Sequence, residues 1–169
     1  MSLHKHIMVI ESDSYGVLLS VLNQNYALSD ENVFELSPTP SGGILILANE
    51  TYGLLEQIHD SILNNKNTKA QIAIRLFADV KPTVLQAYLS QIQPQIAHAL
   101  SVYETTSLIE AFDFAHHITS AGYEIFDFRV LRSHVNKCIV LTNYNLADLN
   151  NLVVIEQPND LVKSYFGIS

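Results

Sequence analysis

The chain has 169 residues and a mass of 18.9 kDa, enough for one domain of ordinary size or for two small ones. Apolar residues make up 48% and charged residues only 15%, which excludes an intrinsically disordered chain and favours an oligomer. The formal net charge of −8 disfavours nucleic-acid binding, because phosphate contacts need clustered Lys and Arg and the nine present are scattered. We therefore expect no nucleic-acid partner.

The cysteine content and the lengths of the apolar runs indicate the cellular compartment of the protein. The one cysteine, Cys138, stands in the apolar run 138–141 and has no second cysteine to pair with, which predicts a small buried residue in a reducing cytoplasm. The apolar stretch at residues 7–10 is short, and no run approaches the roughly 18 residues of a membrane span. We expect a soluble, cytoplasmic protein that does not enter a membrane.

The first half of the chain predicts the element order βαββαβ. Apolar runs and helical periodicity alternate, Ser14 is a candidate helix N-cap, and a turn region rich in Ser, Pro and Gly over 37–43 joins two strands as a hairpin. The six predicted elements span residues 7–10, 15–24, 32–36, 44–47, 51–64 and 71–80.

The second half predicts the same order after a linker. A helix over 83–93 stops at Pro94 and joins the units. The elements that follow span 99–103, 107–120, 124–131, 137–142, a short helix over 146–151, a strand over 153–155 and a final helical turn over 160–166. We therefore divide the chain into a first unit (1–82), a linker helix (83–98) and a second unit (99–169).

Short matched segments indicate that the two units are copies of one another. Glu104 follows Glu11 by 93 residues, as Ser107 follows Ser14, and Asn143 follows Asn49 by 94. Each matched pair lies at the same place in the predicted element order. The fold class predicted from this pattern is α+β, a tandem duplication of a ferredoxin-like, two-layer βαββαβ sandwich.

Particular residues resemble a known family. Residues 104–115 read Glu-Thr-Thr-Ser-Leu-Ile-Glu-Ala-Phe-Asp-Phe-Ala, and residues 120–124 read Ser-Ala-Gly-Tyr-Glu. This segment resembles the first strand, the Ala-rich helix and the next strand of a bacterial microcompartment shell domain. Residues 9–12, Val-Ile-Glu-Ser, are similar, and residues 41–43, Ser-Gly-Gly, stand where that family has a Gly-rich turn. The resemblance therefore implies that the predicted α+β fold is also that of a microcompartment-like domain.

The resemblance implies a divergent, tandem-domain shell protein that is structural and not enzymatic. In that family type, two such domains share a chain and three chains form a pseudohexamer around a central opening, so a homotrimer without a cofactor is implied. The hairpin turns that would line the opening contain Ser41, Gly42 and Gly43 in the first unit and His134, Asn136 and Lys137 in the second. A tight hairpin turn without any ligand is the alternative interpretation of residues 41–43.

Two charged features suggest further sites. Arg129 and Arg132, with His134 and Lys137, form the densest positive cluster, where a small anionic metabolite is a candidate ligand. Glu11 and Glu104 each end a predicted strand just before a helix, where they are either functional carboxylates or partners of nearby amides or of a neighbouring subunit.

The sequence predicts no metal site and no enzyme. His116 and His117 are adjacent in a helix and point about 100° apart, which is unsuitable for one metal ion. We find no nucleophile, base and orienting group at a recognisable spacing. The alternative function is a small-molecule-binding regulatory module, because duplicated ACT-like domains have the same element order.

Overall fold

The structure is a computed structural model that describes residues 5–65, 69–95, 99–132, 136–150 and 152–167. The described residues form two compact units. The first holds residues 5–65 and 69–80 together with Arg132 and Asn136, and the second holds the other described residues. His134 of the predicted opening lies outside the described residues.

The first unit consists of four strands and two helices, with a short 3-10 turn at Asp30–Asn32 before its second strand. Its elements are β1 (His6–Ser12), α1 (Tyr15–Gln24), β2 (Val33–Thr39), β3 (Gly42–Asn49), α2 (Tyr52–Asn64) and β4 (Ile72–Phe77). The predicted hairpin is confirmed, but its strands continue into the Pro- and Gly-rich region and leave only residues 40–41 in the turn.

The second unit contains four strands and three helices among its described residues. They are α3 (Pro82–Tyr88), β5 (Leu100–Thr105), α4 (Leu108–Ser120), β6 (Ile125–Arg132), β7 (Asn136–Thr142), β8 (Leu152–Ile155) and α5 (Asp160–Tyr165). The segment predicted as a linker helix is α3, whose Tyr88 ring packs against Phe112 of α4 and Phe128 of β6 at centroid distances of 5.4 and 5.2 Å.

The two sheets have the same topology. The strand orders are β2-β3-β1-β4 and β6-β7-β5-β8, so the third and first strands of each unit are central. The first strand pairs antiparallel with the third and the fourth in both units. This identity confirms the predicted duplication and the ferredoxin-like α+β class.

Strand register corrects the alignment of the two units. Glu11 lies opposite Ile44, and its counterpart Glu104 lies opposite Ile139, so the third strands are offset by 95 residues. The predicted equivalence of Asn49 and Asn143, with an offset of 94, is therefore wrong by one position. The second unit therefore contains two extra residues between its first and third strands, not one.

The predicted short helix over 146–151 is also wrong, since residues 146–150 form turns. Asn145 Oδ1 accepts a hydrogen bond from the amide of Ala147 at 3.0 Å, and the amide of Leu149 bonds the carbonyl of Leu146 at 3.0 Å. The Asn side chain thus bonds the backbone locally in place of a helical turn. The second unit has no counterpart of α2 among its described residues.

The core of the first unit explains its uninterrupted apolar strands. β1 is buried on both faces, with Met8 and Ile10 on one and Ile7 and Val9 on the other. The first of these faces packs against residues of α1, β3 and α2, namely Leu18, Val21, Leu45, Leu47, Leu55, Ile58 and Ile62. Burying each such side chain contributes roughly 1.5–3 kcal/mol.

The second unit has a core with a larger aromatic share. Phe112 of α4 and Phe128 of β6 lie 4.8 Å apart between ring centroids. Phe166, just after α5, meets Phe126 edge-on at 5.7 Å and so holds that short helix against the unit. None of the helices in the described part of the chain is both long enough and apolar enough to cross a membrane.

Candidate functional site

The turn between β2 and β3 is the first predicted site, and its glycines are required by close packing. Gly42 has φ +142°, a conformation that residues with a side chain rarely adopt. A Cβ atom there would lie 2.0 Å from the carbonyl oxygen of Ser12, so the backbones of the hairpin and of the β1–α1 turn are in contact.

Gly43 is buried for a related reason. A Cβ atom at Gly43 would lie 2.9 Å from side-chain carbons of both Tyr15 and Leu18 and 3.2 Å from the carbonyl oxygen of Ser37. Ser41 is exposed. Of the three predicted residues, Ser41 is therefore the one whose side chain is presented to solvent.

The second predicted turn is described only at its start and end. Asn136 begins β7, and the Lys137 ammonium lies 3.2 Å from the Glu104 carboxylate, with both side chains nearly half exposed. Glu104, a candidate for either a functional carboxylate or a structural partner, thus has a cationic partner inside its own unit. Glu11 lies opposite Ile44 and Ala73 in the other sheet.

The two arginines of the positive cluster are also paired. Arg129 Nε lies 2.5 Å from Asp127, a carboxylate that is 8% exposed, and Arg132 forms an ion pair with Glu35 of β2. The Ser37 hydroxyl donates a hydrogen bond to Glu35 at 2.8 Å. Burial raises the pKa of the Glu35 carboxyl, which the bond from Ser37 partly opposes.

A ligand that binds at the positive cluster has to displace these ion pairs. An anion there competes with the carboxylates of Asp127, Glu35 or Glu104 for each cation. Ion pairs of exposed groups are worth at most about 1 kcal/mol, so Lys137 is more easily recruited than Arg129, whose partner is buried. Anion binding by Arg129 and Arg132 stays a prediction.

The strand-to-helix turns after β1 and β5 use their hydroxyl groups as caps. The Ser14 hydroxyl accepts from the amide of Val17 at 3.4 Å, and the Ser107 hydroxyl accepts from the amide of Glu110 at 3.2 Å. The N-cap predicted at Ser14 is confirmed and recurs at the matched position. These side chains satisfy helix N-termini, which is the ordinary use of Ser at such a position.

Metal-ligating residues do not cluster. Within the described ranges, no group of three or more His, Cys, Asp or Glu side chains is placed to hold a metal ion. His117 is exposed and His116 is half-buried, so the two side chains face different surroundings. Cys138 is a buried thiol, as the sequence predicted.

Sequence reasoning missed a buried polar pair in the second sheet. The Ser101 hydroxyl donates to the carbonyl of Tyr144 at 2.6 Å and accepts from the amide of Leu146 at 3.1 Å. Thr142, opposite Ser101, donates to the carbonyl of Glu124 at 2.6 Å. A polar residue in the otherwise apolar run 99–102 was the available signal.

Comparison with known proteins finds a structural match but no sequence match. No protein-family profile matches the sequence, and no curated protein matches it. A solved structure of a microcompartments protein from Desulfitobacterium hafniense DCB matches with a TM-score of 0.75 at 17% identity, over 95% of this chain and 99% of that one. Over nearly its whole length, the chain therefore has the fold of a microcompartment protein.

Proposed function

We propose that the chain is a non-enzymatic structural protein that assembles with copies of itself in the cytoplasm, as a tandem-domain microcompartment shell subunit. The observation that carries this proposal is the match over 95% of the chain to a microcompartments protein that is itself covered to 99%. Both copies of the duplicated unit are included in that match. Because one fold serves many functions, assembly is the property to test.

The exposed apolar residues support association. Leu161 and Tyr165 are 77% and 74% exposed and lie four residues apart on α5, so they share one face of that helix. Val162, about 100° around the helix from Leu161, packs against the core of the second unit. A short helix whose apolar surface extends beyond its packed side is stabilised when the exposed part is also covered.

In the proposed assembly three chains form a pseudohexamer with a central opening. The hairpin turns line that opening, with Ser41 presented by one unit and His134, Asn136 and Lys137 by the other. Gly42 and Gly43 pack closely against neighbouring atoms, so Ser41 is what the first unit presents to the opening. The opening therefore alternates between a neutral turn and a basic one. A small anionic metabolite is the solute that the basic turns would favour.

The mass of the protein in solution tests this proposal. We expect light scattering to give three times the 18.9 kDa mass of the chain, and electron microscopy to show a ring of alternating unlike units. Replacing Leu161 by Glu is expected to weaken assembly, whereas Leu63→Glu, at a 58% exposed position on α2, serves as the matched control. A monomer at tens of micromolar protein would contradict the proposal.

A regulatory module of duplicated ACT-like units is the second candidate, favoured by the identical order of strands in the two sheets. The capping bonds of Ser14 and Ser107 leave those hydroxyls less available to a ligand at the strand-to-helix turns. Thermal stabilisation of a monomer or dimer by one compound from a metabolite panel would favour this candidate over the shell subunit.

A further inference from the structure

A buried histidine joins the start of the first sheet to the end of the first unit. His6 begins β1 and is 8% exposed, and its Nδ1 accepts a hydrogen bond from the backbone amide of Asp79 at 3.1 Å. Because a backbone N–H can only donate, Nδ1 has to present a lone pair, and the ring in this bond is neutral with its proton on Nε2. A contact between residues 73 positions apart thus depends on the protonation state of one side chain.

The segment that His6 holds has an unusual backbone conformation. Asp79 has φ +53°, in the left-handed region that residues with a side chain adopt uncommonly and only where surrounding contacts support it. The amide of Val80 donates to the carbonyl of Lys5 at 2.8 Å, and the Lys5 ammonium lies 2.7 Å from the Asp79 carboxylate. Both side chains of that ion pair are exposed, so it contributes little. The bond to the buried His6 ring is therefore an important support for residues 79–80.

The charged groups around the His6 ring oppose the effect of this bond. The ring meets Tyr52 of α2 edge-on at 5.5 Å. The hydrogen bond and charge of Asp79, and to a smaller extent the charge of Glu50, raise the pKa of the Lys5 ammonium, so one cation and two carboxylates lie in this region. Carboxylates attract a charged imidazolium, whereas the bond from the Asp79 amide requires the neutral ring. Each form of the ring therefore has a partner within the first unit.

The second unit provides an internal comparison. The counterpart of His6, 93 residues on, is Ala99, which is also buried and also lies at the start of the apolar run of the first strand. Its side chain has no hydrogen-bond acceptor. Because a small apolar residue is sufficient for packing at this position of the fold, packing alone does not require a histidine in the first unit.

We propose that His6 is a pH switch: a proton on Nδ1 breaks the bond from the Asp79 amide and releases residues 79–80 from β1. Two N–H groups would then face each other, so the imidazolium turns to a neighbouring carboxylate instead. Histidine is the side chain that ordinarily gains its charge between pH 8 and pH 5, so mild acidification is the signal. The switch is complete within the first unit and acts whether or not copies of the chain assemble.

Nuclear magnetic resonance on the isotope-labelled full chain between pH 8 and pH 5 tests the switch. At pH 8 we expect the ring nitrogen shifts of His6 to report a proton on Nε2 and none on Nδ1. On acidification, the Asp79 amide proton is expected to shift upfield with the same midpoint as the ring nitrogens. Its protection from exchange, corrected for the intrinsic rate at each pH, is expected to fall about 5- to 10-fold, as for the loss of one hydrogen bond.

His6→Asn separates the bond from its pH dependence, because its Oδ1 is attached to Cγ as Nδ1 is, accepts a hydrogen bond and does not titrate. The Asp79 amide is expected to stay constant with pH in this variant. His117→Asn, at an exposed position of α4, is the matched control and should respond as the parent does. A proton on Nδ1 at pH 8 in the unmodified chain, an Asp79 amide that does not change when the ring is protonated, or an equal pH response in His6→Asn would each overturn the proposal.

Discussion

Replacing Ser101 by Ala tests how the second unit is stabilised without a counterpart of α2. The change removes one hydroxyl that bonds both the carbonyl of Tyr144 and the amide of Leu146. Leu146 is 6% exposed, so water has little access to its neighbourhood. The segment after β7 therefore loses two hydrogen bonds at one position, while the apolar contacts of the strand are retained.

The expected cost follows from the two partners. Each hydrogen bond contributes about 1 kcal/mol net, and a buried partner left unsatisfied costs about 1–3 kcal/mol, so we expect the free energy of unfolding to fall by roughly 2–4 kcal/mol. Because a chain of two units need not unfold in one step, the measurement is amide hydrogen exchange resolved to residues 143–149, supported by urea unfolding. Protection of the Leu146 amide is expected to drop most.

Ser120→Ala is the control, since Ser120 lies exposed at the end of α4, and it should change stability by less than about 0.5 kcal/mol. The reasoning is refuted if Ser101→Ala unfolds at the urea midpoint of the parent protein and the Leu146 amide stays equally protected. That result would mean that the bonds to Ser101 do not hold the segment in place.

Two further predictions concern single positions. Gly42→Ala should lower the free energy of unfolding, measured in urea, by more than about 3 kcal/mol, because its Cβ would lie 2.0 Å from the Ser12 carbonyl oxygen. Gly53→Ala, in open space on α2, should raise the free energy of unfolding by up to about 1 kcal/mol. Burial raises the pKa of Tyr103, which stacks on Phe114 at 4.2 Å. Since the folded state then holds its proton more tightly than the unfolded state, stability is lost as pH rises above the ordinary tyrosine pKa of about 10, and Tyr103→Phe should flatten that decline in stability measured against pH. An equally steep decline in Tyr103→Phe would show that other groups cause it.

Local patterns were sufficient to predict most of the fold. The apolar runs 7–10 and 44–47 predict strands, and both faces of these strands are buried. The matched Ser14 and Ser107 predict helix starts because their caps are formed within three residues. The resemblance seen in residues 104–124 is confirmed at the level of the fold. These features depend on contacts that are close in sequence or repeated in it.

The failures depend on partners that are distant in sequence. Leu146 and Leu149 have helical spacing, but the hydroxyl of Ser101, 45 residues before Leu146, accepts from the Leu146 amide and adds to the local bond of Asn145 in holding that segment in turns. The positive cluster is visible in the spacing of its residues along the sequence, but the ion-pair partner of Arg132 is Glu35, 97 residues away. A single sequence does not show which carboxylate a given arginine meets, because the sheet register decides it.

The two units have diverged by coupled changes rather than independent ones. In the first sheet Met8 lies opposite Leu47 and both pack against α2, whereas the equivalent pair in the second sheet is Ser101 and Thr142. Where the described residues after β7 form no such helix, their backbone groups need hydrogen-bond partners, and hydroxyl groups in the sheet supply them. An apolar pair at those two positions would leave the carbonyls of Tyr144 and Glu124 without these donors.

A second coupled change lies on the side of α1 and α4. Gly43 has no room for a side chain because Tyr15 and Leu18 both lie close to it, but its counterpart in register is Cys138, which is buried at 1% exposure. The position equivalent to Leu18, 93 residues on, is Ala111, which is fully buried. The volume lost on the helix thus compensates for the volume gained on the strand, as close packing requires. Cysteine at position 43 alone would overfill the first core, and it would fit only together with smaller residues in place of both Tyr15 and Leu18.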